Sequence, residues 1–319
     1  MALTVEATFD HTAILLIAHG SPDRVEDIPE FLQNISRGRP MPESVVREVQ
    51  HRYSLIGSSP LTRITRQQAE GVARELGIPA YVGMRNWHPF IADTLQQMAA
   101  DGIERAVAIC LAPHNSRTSV GLYKQVLFGN VAPFPIDFVE EWHDHPLLIE
   151  AFAEKLRSGW WKACAEHGTE VPVLFTAHSV PQRTIAEGDP YQMQALETAR
   201  GVAASVREIG LWHFAFQSQG MSGGEWLGPT VEDTITRLRG AGHTGVFLQP
   251  IGFVCDHVEI LFDIDILFRD FASERGMKLY RAESLNDSPL FVRAAADLAR
   301  ARFASSSSGC KAVLQPEKI

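Results

Sequence analysis

The sequence lacks any apolar run near the ~18 residues that a membrane-crossing helix requires, although 45% of its 319 residues are hydrophobic. It has only four cysteines, Cys110, Cys164, Cys255 and Cys310, and no two form a Cys-x-x-Cys pair. A disulfide framework or a structural zinc site is therefore not expected. Positive charge is also scarce. A net charge of −9 argues against nucleic acid as a partner. Neither Gly-x-Gly-x-x-Gly after the first strand nor Gly-x-x-x-x-Gly-Lys-Ser/Thr occurs, so a nucleotide site has no motif support. His-Glu-x-x-His is missing, and "HVE" at 257–259 has no Pro-Cys-x-x-Cys to complete a zinc deaminase signature. "QSQGMSGG" does not have the Gly-x-Ser-x-Gly spacing of a hydrolase elbow. The opening stretch places Glu6 and Asp10 before its apolar run, with no basic region, unlike a signal peptide. A cytoplasmic protein without stable membrane association is the expectation.

What is present is regular alternation. Apolar strand candidates fall at 13–18, 80–83, 105–111, 134–139, 171–177, 212–217, 245–250 and 277–281. Segments of helical period lie between them at 26–35, 42–55, 64–76, 88–100, 118–127, 146–166, 190–208, 229–239, 257–273 and 288–303. Such alternation predicts an α/β fold with parallel sheets covered by helices. Two sets of four strands are suggested by a weak internal repeat. "LLIAHGS" and "LFTAHSV" both end in Ala-His, and "AICLAPHNS" and "FLQPIGFVCDH" both run through Pro to a histidine. His19, His114, His178 and His257 thus all fall just past strand ends, where ligands bind in open α/β sheets. Two facing domains would gather all four around one cleft. The small, polar residues 305–319 read as a disordered tail.

Charge is distributed unevenly. Arg37, Arg39, Arg47 and Arg52 lie within sixteen residues of one another; they read either as a solvated helix face or as a site for an anion. "GFVCDHVEILFDID" (252–265) poses the opposite problem, with four carboxylates and an imidazole in an apolar segment. Asp256 reads as a helix N-cap, and Asp265 as a solvated residue. Glu259 and Asp263, four apart, would share a helix face among Ile260, Leu261, Phe262, Ile264, Ile266, Leu267 and Phe268. Acids on such a face suggest a cavity that handles cations or protons. His178 is the natural partner, since imidazole with carboxylate suits iron and proton transfer.

Together, "TAHSVP" (176–181), "GDPY" (188–191), "FQSQG…WLGPT" (216–230) and "PIGFVCDHVEILFDID" (250–265) resemble the ferrochelatases in order and spacing, from about residue 14 to about residue 303. The resemblance implies two similar Rossmann-like domains, at 1–137 and 138–287, with a porphyrin cleft between them and helix 288–304 packing back on the first. It implies insertion of Fe(II) into a porphyrin with loss of two protons, with His178 and Glu259 as the metal-handling, proton-accepting pair and Asp263 on a proton or metal path. "AHGSPDRVEDIPEFLQNISRGRP…VREVQHRYSLIGSSPL" is similar to the coproporphyrin III type of Gram-positive bacteria. Matching the motif carries porphyrin binding onto His19, Arg52, Tyr53, Ser59 and Tyr123, and implies a downstream enzyme that processes coproheme.

Three positions depart from that pattern. The axial ligand to the product iron, tyrosine in well-known coproporphyrin enzymes, is His19. An arginine just before "RGR" is Ser36, and a carboxylate eight residues after the family's glutamate is Leu267. Only Cys310 lies where some relatives cluster cysteines around iron–sulfur, so no cluster is expected. The rival readings are a protoporphyrin IX ferrochelatase and, from another class, a non-catalytic tetrapyrrole-binding or haem-transfer protein. The last would not need both His178 and Glu259.

Overall fold

A computed structural model describes residues 11–129, 132–219 and 224–309. The first half runs β1 (Thr12–Ala18), α1 (Ile28–Ile35), α2 (Glu43–Ile56), α3 (Leu61–Leu76), β2 (Ala80–Met84), α4 (Ile91–Ala100), β3 (Arg105–Cys110), α5 (Val120–Gly129) and β4 (Ile136–Val139). Then follow α6 (Pro146–His167), β5 (Val173–His178), α7 (Gln182–Ala186), α8 (Tyr191–Ser205), β6 (Trp212–Gln217), α9 (Val231–Gly240) and β7 (Gly245–Pro250). The last described elements are α10 (Val258–Leu261), a π-helical stretch over Asp263–Phe268, α11 (Arg269–Glu274), β8 (Lys278–Arg281) and α12 (Pro289–Gly309).

The strands form two four-stranded sheets of order β2-β1-β3-β4 and β6-β5-β7-β8, with every pairing parallel. Apolar runs such as "AILLIA" are wholly buried because helices cover both faces of a parallel sheet. In each sheet the chain turns first to one side of the leading strand and then to the other. The strand order therefore reverses between β1 and β3, and again between β5 and β7. Side chains at the carboxyl ends of those strands border the crevices where open α/β sheets take ligands.

The largest core cluster is shared. It joins Ile14 and Leu16 of β1 and Val107 of β3 to Phe175 of β5, through Phe152 and Trp160 of α6 and Phe291 and Ala295 of α12. The last helix returns to the first half. Val292 sits where a Cβ on Gly71 of α3 would come within 2.8 Å of it, while Arg300 meets Glu75 at 3.2 Å and Arg302 meets Asp137 at 3.3 Å.

The structure departs from the sequence expectations in four places. The helix expected over 257–273 is broken. The backbone N–H of Leu267 donates to the carbonyl of Phe262, five residues back, at 3.0 Å, which is the spacing of a π turn. Asp256 is not a cap: His257 occupies that position without a side-chain bond, and Asp256 instead accepts from Ser284 Oγ at 2.6 Å and Asn286 Nδ2 at 2.9 Å. Asp265 is not simply solvated, because Arg281 grips it at 2.7 and 2.8 Å. Helix α12 also runs to Gly309, so residues 305–309, assigned to the tail by composition, are helical; Cys310 and the rest of the tail lie outside the described residues.

Candidate active site

Gly20 and Gly252 shape the backbone where the site is built. Gly20 follows His19 at φ +85°, and a Cβ there would meet the Trp87 backbone nitrogen at 2.8 Å. At Gly252 a Cβ would meet Ala177 Cα at 2.9 Å. The turn after β7 can therefore press against the end of β5, which carries His178.

His178 turns its Nδ1 to the Ser179 carbonyl, and its own carbonyl accepts from the Tyr191 hydroxyl at 2.9 Å. Its Nε2 is left facing Glu259 Oε1 at 3.7 Å. On the other side, His257 Nε2 lies 3.5 Å from Glu259 Oε2, while its Nδ1 lies 3.0 Å from the Cys255 carbonyl. Glu259 thus stands between two imidazoles, each oriented by a backbone carbonyl. The His178–Glu259 gap is too long for a strong hydrogen bond. It does suit a divalent cation at ~2.0–2.2 Å from each atom. Among the described residues, no three His, Cys, Asp or Glu side chains are spaced to hold an ion as a set.

Burial works on these groups in different directions. It would push the Glu259 carboxyl up, but the His178 and His257 imidazoles outweigh it and hold the group below its usual range. At His257 burial alone would lower the imidazole, and Glu259 reverses the shift, raising it. Asp263 is pushed up to about 6, first by burial and then by the Glu259 charge, against the opposing Ser218 hydroxyl and Arg52. His19 is driven down to about 3 by burial and by the Arg85 guanidinium. A neutral imidazole, with a lone pair to offer, therefore faces the acids from the first half.

Of the expected ring-binding residues, Arg52 acts electrostatically on Asp263, and Tyr53 and Tyr123 feel the Glu259 charge. Arg52 binds Glu48 through Nε at 2.9 Å and stands over the Phe262 ring at 5.1 Å. Tyr53 is buried, and its hydroxyl lies 2.8 Å from Ser21 Oγ. Burial pushes that phenol up to about 12. Tyr123 is buried with Arg85 over its ring at 5.0 Å. Ser59 is buried, and its hydroxyl has no partner among the described residues. Phe31 and Trp87 extend an apolar wall from His19 in edge-on contacts with ring centres 6.1 Å apart. Of the other arginines, Arg47 pairs with Glu43 at 2.5 Å; Arg37 and Arg39 are exposed.

His114 does not join the cluster. It is buried elsewhere, with Nε2 2.9 Å from Thr198 Oγ1 of α8 and its ring beside His143. Sequence reasoning missed Arg85 and Asn86 just after β2. The Asn86 amide lies 3.2 Å from both ring nitrogens of His19. Turned with its oxygen inward, it accepts from His19 and from Arg85 Nε at 3.2 Å. The signal was available in "MRNW", a charged and an amide residue at a strand's carboxyl end.

Among the described residues no helix is long and apolar enough to cross a membrane. The fold is similar to that of the sirohydrochlorin chelatase SirB from Bacillus subtilis subspecies spizizenii in complex with cobalt. That match has a TM-score of 0.55 and 11% identity over 93% of this chain and 97% of that one. A ferrochelatase from Acidobacterium capsulatum is 55% identical over 91% of this chain and 94% of its own length. A coproporphyrin III ferrochelatase from Geobacillus sp. (strain WCH70) is 34% identical over 91% and 97%. The ferrochelatase family model matches residues 11–303, and the chain belongs to the ferrochelatase family of metal chelatases.

Proposed function

We propose that the chain inserts Fe(II) into coproporphyrin III, giving iron coproporphyrin III and two protons. The carrying observation is the His178 Nε2–Glu259 Oε1 gap of 3.7 Å, faced by a neutral His19. Two pyrrole N–H bonds break as two of the ring nitrogens bind the ion, so charge balances when both protons leave. The ionised Glu259 accepts a pyrrole proton, and the His178 Nε2 lone pair helps to place the ion. Asp263, held near pH 6, is suited to passing protons outward. His19 is the axial ligand to the product iron. The residues in these roles need no resident cofactor. Cys110 and Cys255 are buried free thiols, and our reading includes no iron–sulfur cluster. The cytoplasm is the proposed location, and a coproheme-processing enzyme the proposed recipient of the product.

Charge supports the choice of porphyrin. Coproporphyrin III carries four propionates and protoporphyrin IX carries two. Arg52 keeps its Nη groups for a carboxylate once Nε is bound to Glu48, and the hydroxyls of Tyr53, Ser59 and Tyr123 add donors. An arginine–carboxylate bond contributes roughly 1.5–3 kcal/mol, and an unpaired donor is penalised similarly. Two missing propionates then disfavour protoporphyrin by roughly 10²-fold or more. One observation favours protoporphyrin instead. Ser36 replaces an arginine, and its hydroxyl is spent on the carbonyls of Gln33 and Arg39 at 3.1 and 2.6 Å.

The test is anaerobic Fe(II) insertion with both porphyrins in detergent-free buffer. The expected result is a higher kcat/KM for coproporphyrin III, with the gap narrowed in Arg52→Ala. Equal efficiency would replace this substrate with protoporphyrin IX. Binding without turnover of either would leave a tetrapyrrole carrier.

A further inference from the structure

The fragment "QS" at the end of β6 belongs to none of the roles assigned so far, yet it touches both acids. Gln217 is 1% exposed. Its Oε1 accepts from the Thr176 hydroxyl at 2.8 Å, and its Nε2 donates to the Glu259 carbonyl at 3.1 Å. Thr176 lies two residues before His178 on β5. One buried amide therefore links the strand that carries His178 to the backbone that carries Glu259. The next residue, Ser218, adopts φ +60°, a conformation that non-glycine residues rarely take. From it the Ser218 hydroxyl donates to the Asp263 carboxylate.

Helix α10 is in no position to hold these acids alone. It has four residues and no side-chain cap, and it runs directly into the π turn. A single turn of helix is not stable by itself. Something outside it must set where Glu259 and Asp263 sit. The structure assigns that task to Gln217 and Ser218: we propose that they are positioning residues, a two-residue clamp that holds Glu259 at its working distance from His178 and fixes Asp263 behind it. Backbone strain at Ser218 fits such a role, because strain persists where the surroundings enforce it. The clamp rests on the reading of Glu259 as a working carboxylate.

Misplacing a reacting group by about 1 Å costs on the order of 10²-fold in rate. The experiment is steady-state Fe(II) insertion into coproporphyrin III by the full chain, with porphyrin Kd measured by fluorescence quenching. Ser218→Gly removes the hydroxyl while relieving the backbone, and Ser218→Asn restores a donor that tolerates positive φ. Gln217→Met keeps the side-chain length and loses both bonds. The clamp predicts a kcat loss of roughly ten- to a hundredfold in Ser218→Gly and Gln217→Met, with KM and porphyrin Kd unchanged, and substantial recovery in Ser218→Asn. Should Gln217→Met lose its cooperative melt, the Ser218 pair decides alone. Wild-type kcat in Ser218→Gly, or a kcat loss matched by an equal rise in porphyrin Kd, overturns the clamp. Glu259→Gln serves as the reference. If it is inactive while Ser218→Gly is normal, only the clamp fails; if it is fully active, the His178–Glu259 pair fails and the clamp with it.

Discussion

The two halves share a strand order, and β1, β2, β3 and β4 correspond to β5, β6, β7 and β8. Each half places a histidine at or just past the end of its leading strand and another after the strand beyond the crevice. Those second histidines differ sharply. His257 stands beside Glu259, which raises its imidazole against the effect of burial. His114, its counterpart after β3, is buried against Thr198, and burial and His143 drive it down to about 3. Burial acts in the same direction on both rings, and the neighbouring carboxylate decides the outcome. Topology brings a histidine to the strand end, and the next few residues determine its use. After β7 they form a glycine turn and a short acidic helix; after β3 they form a polar seam with α8. The second half therefore carries the acids, while the first supplies arginines and rings.

The sharpest way to break this comparison is to make matching substitutions on both sides. His178→Ala and Glu259→Gln should each abolish chelation, a loss on the order of 10²–10⁴ in rate, with porphyrin binding retained. His114→Ala should cost about 1–3 kcal/mol of stability through the partner it abandons, yet leave kcat nearly unchanged. An inactive but folded His114→Ala enzyme would put the first half into the chemistry and erase the distinction.

A smaller effect is expected from Asp263. Its folded carboxyl titrates at about 6 against an ordinary 3.8, so the folded chain binds that proton more tightly than the unfolded one. The associated stability is present below pH ~4 and lost as pH rises through ~6. Asp263→Asn should therefore raise the melting free energy by about 1–3 kcal/mol at pH 8 and change it little at pH 4. The same gain at both pH values would show that burial does not oppose ionisation there.

The smallest change in rate is predicted for His19. Held neutral, it should ligate the ferric product, so His19→Ala should alter the absorption spectrum of that complex while insertion stays within a few-fold. An unchanged spectrum would place the imidazole out of reach of the iron.

Much of the frame was legible in the sequence, because buried parallel strands leave an unmistakable apolar mark: the run 13–18 became Thr12–Ala18, and 212–217 became Trp212–Gln217. Helix α7, at five residues, is too short to show a period. The π turn was hidden because its spacing is a backbone choice, and the Ser218–Asp263 bond made inside it spans 45 residues. Asp256 looked like a cap because its partners, Ser284 and Asn286, lie 28 and 30 residues away. His114 and His257 gave the same signal, and only contacts made later in the chain separate them. Glu259 was legible for the opposite reason: a charge inside an apolar run shows in one dimension.

The return of α12 to α3 bears on how the molecule is made. The core under β1 includes Phe291, Val292 and Ala295 of α12, which leave the ribosome long after β1 to β4. The first sheet cannot close its core until α12 has been synthesised, so the first half is completed late rather than on its own. A ribosome stalled before α12 would present an exposed apolar face on α3 and α6, and chaperones would meet this protein as an unfinished first half waiting for α12.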